Sequence, residues 1–258
     1  MKIMVTGDRG YIGSALVPML RKKNYNVVGY DSGYFLENLL EQYDEDYLML
    51  TRDIRDIERE DMEGVDGVIH LAGLSNDPLG EFSPKLTEDI NYNGTMHLAK
   101  IAKDVGVSRF VYASSQSMYG ISDTVNELDE DESKKNPVTA YAIAKWRAEQ
   151  QLHNMSTEDF VVTSLRPSTV FGKSPRLRCD IVYNNFVASA FTSKKILIKS
   201  DGSPFRPVIH IKDVCMALIA GLKAPSELIA GKSFNVGIMN GNYSIRELAT
   251  TVQKIIPD

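Results

Sequence analysis

Thr6-Gly7-Asp8-Arg9-Gly10-Tyr11-Ile12-Gly13 stands between an apolar run, Lys2 to Thr6, and a stretch of helical periodicity, Tyr11 to Lys23. In that setting each glycine has a physical reason. Gly7 permits the tight turn out of a strand, Gly10 lets the backbone approach a pyrophosphate, and Gly13 allows close helix–strand contact. The helix start brings N–H donors and a partial positive charge to a bound anion. The loop therefore reads as a dinucleotide cradle, with Gly7, Arg9, Gly10, Tyr11, Ile12 and Gly13 at the cofactor.

Working outward, strand-length apolar runs alternate with helical periodicity. YNVVGY (25–30), YLML (47–50), GVIHLA (67–72), RFVYASS (109–115) and VVTSLR (161–166) are the runs; helices are expected near Asp56 to Glu63, over Pro84 to Val105 and over Thr139 to Met155. That order predicts βαβ units and a doubly wound α/β fold with six or seven parallel strands. After Gly172 the alternation becomes irregular: a helix over Asp180 to Thr192, short strands at KILIK (195–199) and PVIHI (207–211), a helix over Lys212 to Leu222, then FNVG (234–237). Residues 1–171 are read as the nucleotide-binding domain and 172–258 as a smaller substrate-binding lobe, some of whose elements return to the large domain. Ser244 and Glu247 form a capping box for a last helix ending near Ile256, and the acidic run Glu127 to Glu132 reads as a solvated loop.

Composition narrows the classes. The chain has 258 residues, 43% hydrophobic and 24% charged, which is ordinary for a globular protein. A net charge of −5 with no Lys/Arg stripe argues against nucleic-acid binding. The two cysteines, Cys179 and Cys215, lie in no disulfide or metal-ligand spacing, so no metal is expected and a reducing cytoplasm fits best. No signal segment and no membrane-length apolar run is visible.

The second strand ends at Tyr30-Asp31, where a carboxylate accepts both adenosine ribose hydroxyls and repels a 2′-phosphate. NAD is favoured over NADP, although Arg9 could supply a counter-charge. Asp53-Ile54 and Leu71-Ala72-Gly73 end the third and fourth strands, at the edge where adenine and nicotinamide would lie; His70 reads as a packed strand residue. Tyr141 and Lys145, in YAIAK, share one helix face. An adjacent ammonium and the positive nicotinamide ring favour a phenolate, making Tyr141 a general base. Ser115, at the end of the fifth strand, can bond the substrate oxygen whose proton Tyr141 removes, while Lys145 holds the nicotinamide ribose.

TGDRGYIG, Asp31, Asp53-Ile54, HLAG, Asn91 in INYNGT, ASSQSMYG, YAIAK and LRPSTVFG together resemble an extended short-chain dehydrogenase, the group of UDP-galactose 4-epimerase and dTDP-glucose 4,6-dehydratase, over nearly the whole chain. The resemblance implies a Rossmann-type fold, tightly held NAD, and a nucleotide-diphosphate sugar oxidised at a ring carbon, usually C4. It marks Ser115 through Tyr119-Gly120 as the polarising hydroxyl and counts Pro167 among the cofactor-binding positions. The dehydratases carry Asp-Glu after the active hydroxyl; here Gln116 and Ser117 stand there, which disfavours a 4,6-dehydratase. Gln116 joins the substrate-binding positions. Arg206, in DGSPFRPVIHIKD, falls where the group grips the diphosphate, with Arg176 and Arg178 as weaker candidates. Thr169 replaces a usual asparagine at the sugar or diphosphate, and Asn91 either bonds substrate or caps local backbone. Members of the group run on for further elements with a second diphosphate-binding arginine, so the expectation is a shortened lobe or a piece of a longer product. Homodimerisation through the helices 84–105 and 139–155 is also implied. A 4-keto-sugar reductase and a non-catalytic dinucleotide-binding protein are the alternatives.

Overall fold

The computed structural model describes residues 1–37, 39–42, 46–75, 77–120 and 128–256. Ten strands and nine α-helices follow in chain order among them: β1 Lys2–Thr6, α1 Gly13–Lys22, β2 Asn26–Asp31, β3 Leu48–Thr51, β4 Gly67–His70, α2 Asp77–Phe82, α3 Pro84–Glu88, α4 Thr95–Asp104, β5 Arg109–Ala113, α5 Ala140–Met155, β6 Val161–Pro167, β7 Thr169–Phe171, α6 Val182–Ser193, β8 Phe205–His210, α7 Ile211–Lys223, α8 Ser226–Ile229, β9 Lys232–Val236, β10 Asn242–Ser244 and α9 Ile245–Ile255.

Seven strands form one sheet in the order β3-β2-β1-β4-β5-β6-β9. Every pairing in it is parallel. Successive side chains of a strand face opposite ways, so the sheet needs two apolar covers. Met4, Val28, Val68, Phe110 and Val162 pack with Leu98 of α4 and Ala148 and Leu152 of α5. Their neighbours Ile3, Val5, Val27, Ile69 and Val111 pack on the other face with Leu16 and Leu20 of α1 and Leu218 and Leu222 of α7. Burial on both faces explains why these strands read as continuous apolar runs. The order reverses between β1 and β4, and such a switch point opens a crevice beyond the strand carboxyl ends.

β7, β8 and β10 make a separate three-stranded sheet. Phe186 and Ala190 of α6, Val208 of β8, and Leu248 and Val252 of α9 form its small core. The segment after Gly172 is not spatially apart: β9 lies beside β6 in the large sheet, and α7 covers that sheet's face.

Three expected elements differ. The helix near Asp56 to Glu63 is two 3₁₀ turns, Ile54–Asp56 and Glu60–Met62, because Ile57 between them is extended (φ −66°, ψ 136°). The run 84–105 is interrupted by a π-helical stretch, Asp89–Gly94, between α3 and α4. KILIK pairs with no strand; Ile196 and Ile198 rest on the small core while Leu197 is 71% exposed. The capping box at α9 is formed as expected, Ser244 Oγ accepting from the Glu247 N–H and Glu247 accepting from the Ser244 N–H. Glu127 of the acidic run, together with Pro257 and Asp258, lies outside the described residues. Among those described, no helix is long and apolar enough to cross a membrane, and both cysteines are free thiols.

Candidate active site

The phosphate loop winds tightly. Gly7 has φ +72°, and a Cβ there would lie 2.8 Å from the Ala72 nitrogen; at Gly13 it would lie 2.1 Å from the Gly7 carbonyl oxygen. A Cβ at Gly10 would meet only the Gly7 oxygen, at 3.2 Å, so the loop's outer side is open. The N–H groups of Ser14, Ala15 and Leu16 turn back onto Gly10 and Ile12 carbonyls, which leaves those of Ile12 and Gly13 as donors at the helix mouth. Tyr11 contributes only backbone to this mouth, because its hydroxyl donates to the Gly172 carbonyl at 2.8 Å and accepts from Asn184 Nδ2. It staples the loop to the small sheet.

Asp31 ends β2 half-buried, its two carboxylate oxygens accepting from the N–H groups of Gly33 (2.7 Å) and Arg9 (3.3 Å). Its remaining lone pairs suit two ribose hydroxyls. The Arg9 guanidinium donates to the Asp31 carbonyl and to Thr51 Oγ1 at 2.8 Å, so it is held against the end of the second and third strands. Open glycine turn, helix-mouth donors and ribose-matched carboxylate fit a bound dinucleotide. Leu71, Ala72 and Gly73 follow the end of β4 and Pro167 ends β6, all half-buried at the carboxyl edge of the sheet.

Asp53 and Ile54 stand just past β3, where a 3₁₀ turn fixes both side chains. The Asp53 carboxylate takes the N–H, Nε and Nη2 of Arg55, which holds its pKa below the usual carboxylate range. Ile54 is buried in the core against Gly94. Asp53 caps the turn, and the Ile54 side chain is the one turned inward.

Ser115, Lys145 and Tyr141 come from the end of β5 and the first turns of α5. Thr139 caps α5 by accepting from the Ala142 N–H, which starts the helix just ahead of Tyr141. Lys145, 4% exposed, donates from Nζ to the Ala113 carbonyl at 2.9 Å and lies 4.7 Å from the centre of the Tyr112 ring. That bond ties the lysine to the strand end carrying Ser115. Burial pulls its pKa down to about 8. Tyr141 is half-buried one turn earlier on the same helix. Ser115 Oγ accepts from the Ser117 N–H (3.1 Å) and the Ser117 hydroxyl (2.9 Å). With both lone pairs engaged, its own proton is left to donate. Ser114 is buried, so Ser115 is the half-buried member of the pair.

Of the two readings of Asn91, the geometry matches backbone capping. Fully buried, its Oδ1 accepts from the Leu74 N–H at 2.8 Å and its Nδ2 donates to the Leu74 carbonyl at 2.9 Å. Gln116 and Thr169 are half-buried, and Gln116 Nε2 approaches Gly237. Arg206 is exposed on β8, two residues before Val208, the register partner of Thr169, and makes no ion pair with a carboxylate among the described residues. Arg178 is instead spent on Asp180 and Ser75, and Arg176 stacks on Phe35 at 4.4 Å.

Sequence reasoning missed Ser117, which orients Ser115, and a buried network behind the helix. Arg166 of β6 and Glu149 of α5, 4% and 1% exposed, meet at 2.6 Å. Arg166 Nη1 donates to the Tyr119 hydroxyl at 2.8 Å, and Ser233 donates to Glu149. The spacing Lys145 to Glu149, one helical turn, was the only signal available.

A profile of the NAD dependent epimerase/dehydratase family matches residues 3–237. UDP-glucose 4-epimerase of Bacillus subtilis is 28% identical over 99% of this chain and 82% of its own length. UDP-glucuronic acid decarboxylase 4 of Arabidopsis thaliana is 27% identical over 99% of this chain and 57% of its own. Among solved structures, MoeE5 in complex with UDP-glucose and NAD superposes with a TM-score of 0.85 at 25% identity, over 99% of this chain and 82% of that one. A cradle for a dinucleotide, the seven-stranded sheet that carries it and a profile match spanning nearly the whole chain agree: the protein belongs to the NAD dependent epimerase/dehydratase family, with NAD as its cofactor.

Proposed function

We propose that the chain is a nucleotide-sugar epimerase or oxidoreductase acting at a ring carbon, C4, of a nucleotide-diphosphate sugar. The observation that carries this reading is the Ser115 hydroxyl, whose acceptor sites are filled by Ser117 and whose proton is left to donate, next to the strand end gripped by Lys145. Ser115 donates to the sugar hydroxyl oxygen, and Tyr141 takes that hydroxyl's proton. The Lys145 ammonium, below its pKa of about 8, favours the phenolate and holds the nicotinamide ribose. NAD supplies the acceptor for the hydride leaving the ring carbon. Arg206 of the later segment grips the diphosphate, and Gln116 and Thr169 lie beside the sugar, so that residues 1–171 hold the cofactor and the substrate sits between them and the later segment. We also place a homodimer contact on α3, α4 and α5, where Leu86 (42%) and Ile143 (41%) are exposed.

The reading is tested by screening UDP-, GDP-, CDP- and dTDP-sugars for thermal stabilisation; a ligand at a hundred times its Kd adds about 2.7 kcal/mol. Stabilising sugars are then added to the NAD-loaded protein while nicotinamide absorbance is followed. Transient reduction with NAD retained and a C4-inverted sugar as product supports epimerisation. Turnover only with supplied reduced cofactor, released after each cycle, assigns a keto-sugar reductase, and no response to any sugar rejects the enzyme reading.

A further inference from the structure

We propose that His70 is a positioning residue for the NAD site: a neutral imidazole carrying its proton on Nε2, it joins the phosphate loop, the Leu71–Leu74 crevice wall and the π-helical turn into one unit. The inference rests on the reading of that crevice as the NAD site.

The proton positions follow from the bonds. Thr95 Oγ1 donates its one proton to the Asn91 carbonyl, at 2.8 Å. Its 2.7 Å contact with His70 Nε2 therefore needs the proton from the ring. A neutral ring has one N–H, so Nδ1 accepts from the Thr6 hydroxyl, at 2.6 Å. Thr6 Oγ1 in turn accepts from the Ala72 N–H at 3.3 Å. The chain of bonds thus starts in the crevice wall, crosses the last residue before Gly7, passes through the buried ring, and ends at Asn91, whose amide clamps both polar groups of Leu74.

The ring is also part of a stack. His70 lies 5.7 Å from the Tyr112 ring at an interplanar angle of 24°, and Lys145 Nζ approaches the same Tyr112 ring. A charged His70 would face the Lys145 ammonium across that ring and bring a second proton to Nδ1, where Thr6 already donates. Burial, helped by the Lys145 charge, holds the His70 pKa well below the ordinary histidine value. The π-helical turn has its own place in the device. Asn91 lies within it and reaches Leu74, and the Thr95 hydroxyl, just past its end, bonds back to the Asn91 carbonyl.

Two measurements test the proposal. In the full chain, ¹⁵N imidazole shifts are expected to report His70 as neutral with the proton on Nε2 across about pH 5 to 8. A proton on Nδ1, or titration within that range, overturns it. Separately, the Kd for NAD is measured by calorimetry on folded wild type, His70→Phe and His70→Gln. Removing both hydrogen bonds in His70→Phe is expected to weaken NAD by about tenfold or more. His70→Gln, whose amide can donate toward Thr95, is expected to recover most of that loss. A purely structural role would lower the melting temperature and leave the Kd of the folded variants at the wild-type value, which overturns the proposal. Should His70→Phe not fold, a His70→Gln Kd at least as weak as about tenfold above wild type would overturn it as well, since the donor is restored there. Wild type that binds no NAD at all rejects the crevice reading itself.

Discussion

Two buried charges in the cofactor half give stability opposite, measurable slopes with pH. Asp8 is fully buried inside the phosphate loop, with Tyr47 donating to one oxygen at 2.7 Å and no partner on the other. Burial raises its pKa from 3.8 to about 6, with the nearby Asp31 charge adding and the Tyr47 bond opposing. The folded chain holds this proton over a range where the unfolded chain has released it, so stability present at low pH is lost as pH rises through about 6. Asp8→Asn is expected to raise stability at pH 8 by about 2–3 kcal/mol and to flatten the slope between pH 4 and 6, read by urea unfolding. Equal stability at pH 8 would contradict the assignment. Lys145 works in the other direction. Its pKa falls to about 8 through burial, so the unfolded chain binds the extra proton and stability climbs between about pH 8 and 10.5. Lys145→Met should therefore be more stable than wild type at neutral pH, by up to about 3 kcal/mol, while turnover is lost. Loss of both stability and turnover would show that the ammonium is well paired in the fold.

Among the elements, α5 is held in place by a charge pair that an apolar pair could replace. Glu149 sits one turn beyond Lys145, and Arg166 links it to Tyr119, the last residue of the 3₁₀ turn that Ser115 caps. Removing one partner leaves a buried unpaired charge, at about 3–5 kcal/mol. Glu149→Leu and Arg166→Met singly should each lose about that much, and the double variant less than the sum. Additive losses in thermal unfolding would mean that the two do not act as a pair. Elements with two covered faces or strong periodicity were legible beforehand: β1 to β6, α1, α5 and α7 stand within a few residues of their expected bounds. Local chemistry defeated the others. KILIK alternates like a strand because Ile196 and Ile198 cover the small core, yet the segment joins neither sheet. The Asp56 region carries helical spacing, but the Asp53 cap and the extended Ile57 break it into short turns. At the site, local spacing fixed positions: Gly7, Asp31 and Ser115 stand at or just past strand ends, and Gly13 and Lys145 in the first turns of α1 and α5. The side-chain partners of Ile54 and Tyr11 were not legible, because each lies far along the chain, at Gly94 and Gly172, and spacing alone could not choose between the two readings of Asn91.

For the molecule as a whole, strand order creates the crevice and two separate connections close it. The reversal between β1 and β4 opens the cofactor side, and the Tyr11 hydroxyl on Gly172, with Ser174 bonded to Ser14 and the Tyr11 carbonyl, ties that side to the small sheet. Because β9 returns to the large sheet and α7 covers its face, the two regions should unfold together. A single coincident transition by fluorescence and circular dichroism is expected, and two separated midpoints would contradict it. Light scattering at a mass of one chain would reject the proposed dimer. The central claim is that Tyr141 removes the substrate proton while the cofactor sits in the cradle, and Tyr141→Phe tests it most directly. With a stabilising nucleotide sugar in single turnover, nicotinamide reduction should fall by at least about a hundredfold while the Kd for NAD stays near wild type; an unchanged reduction rate would contradict the account.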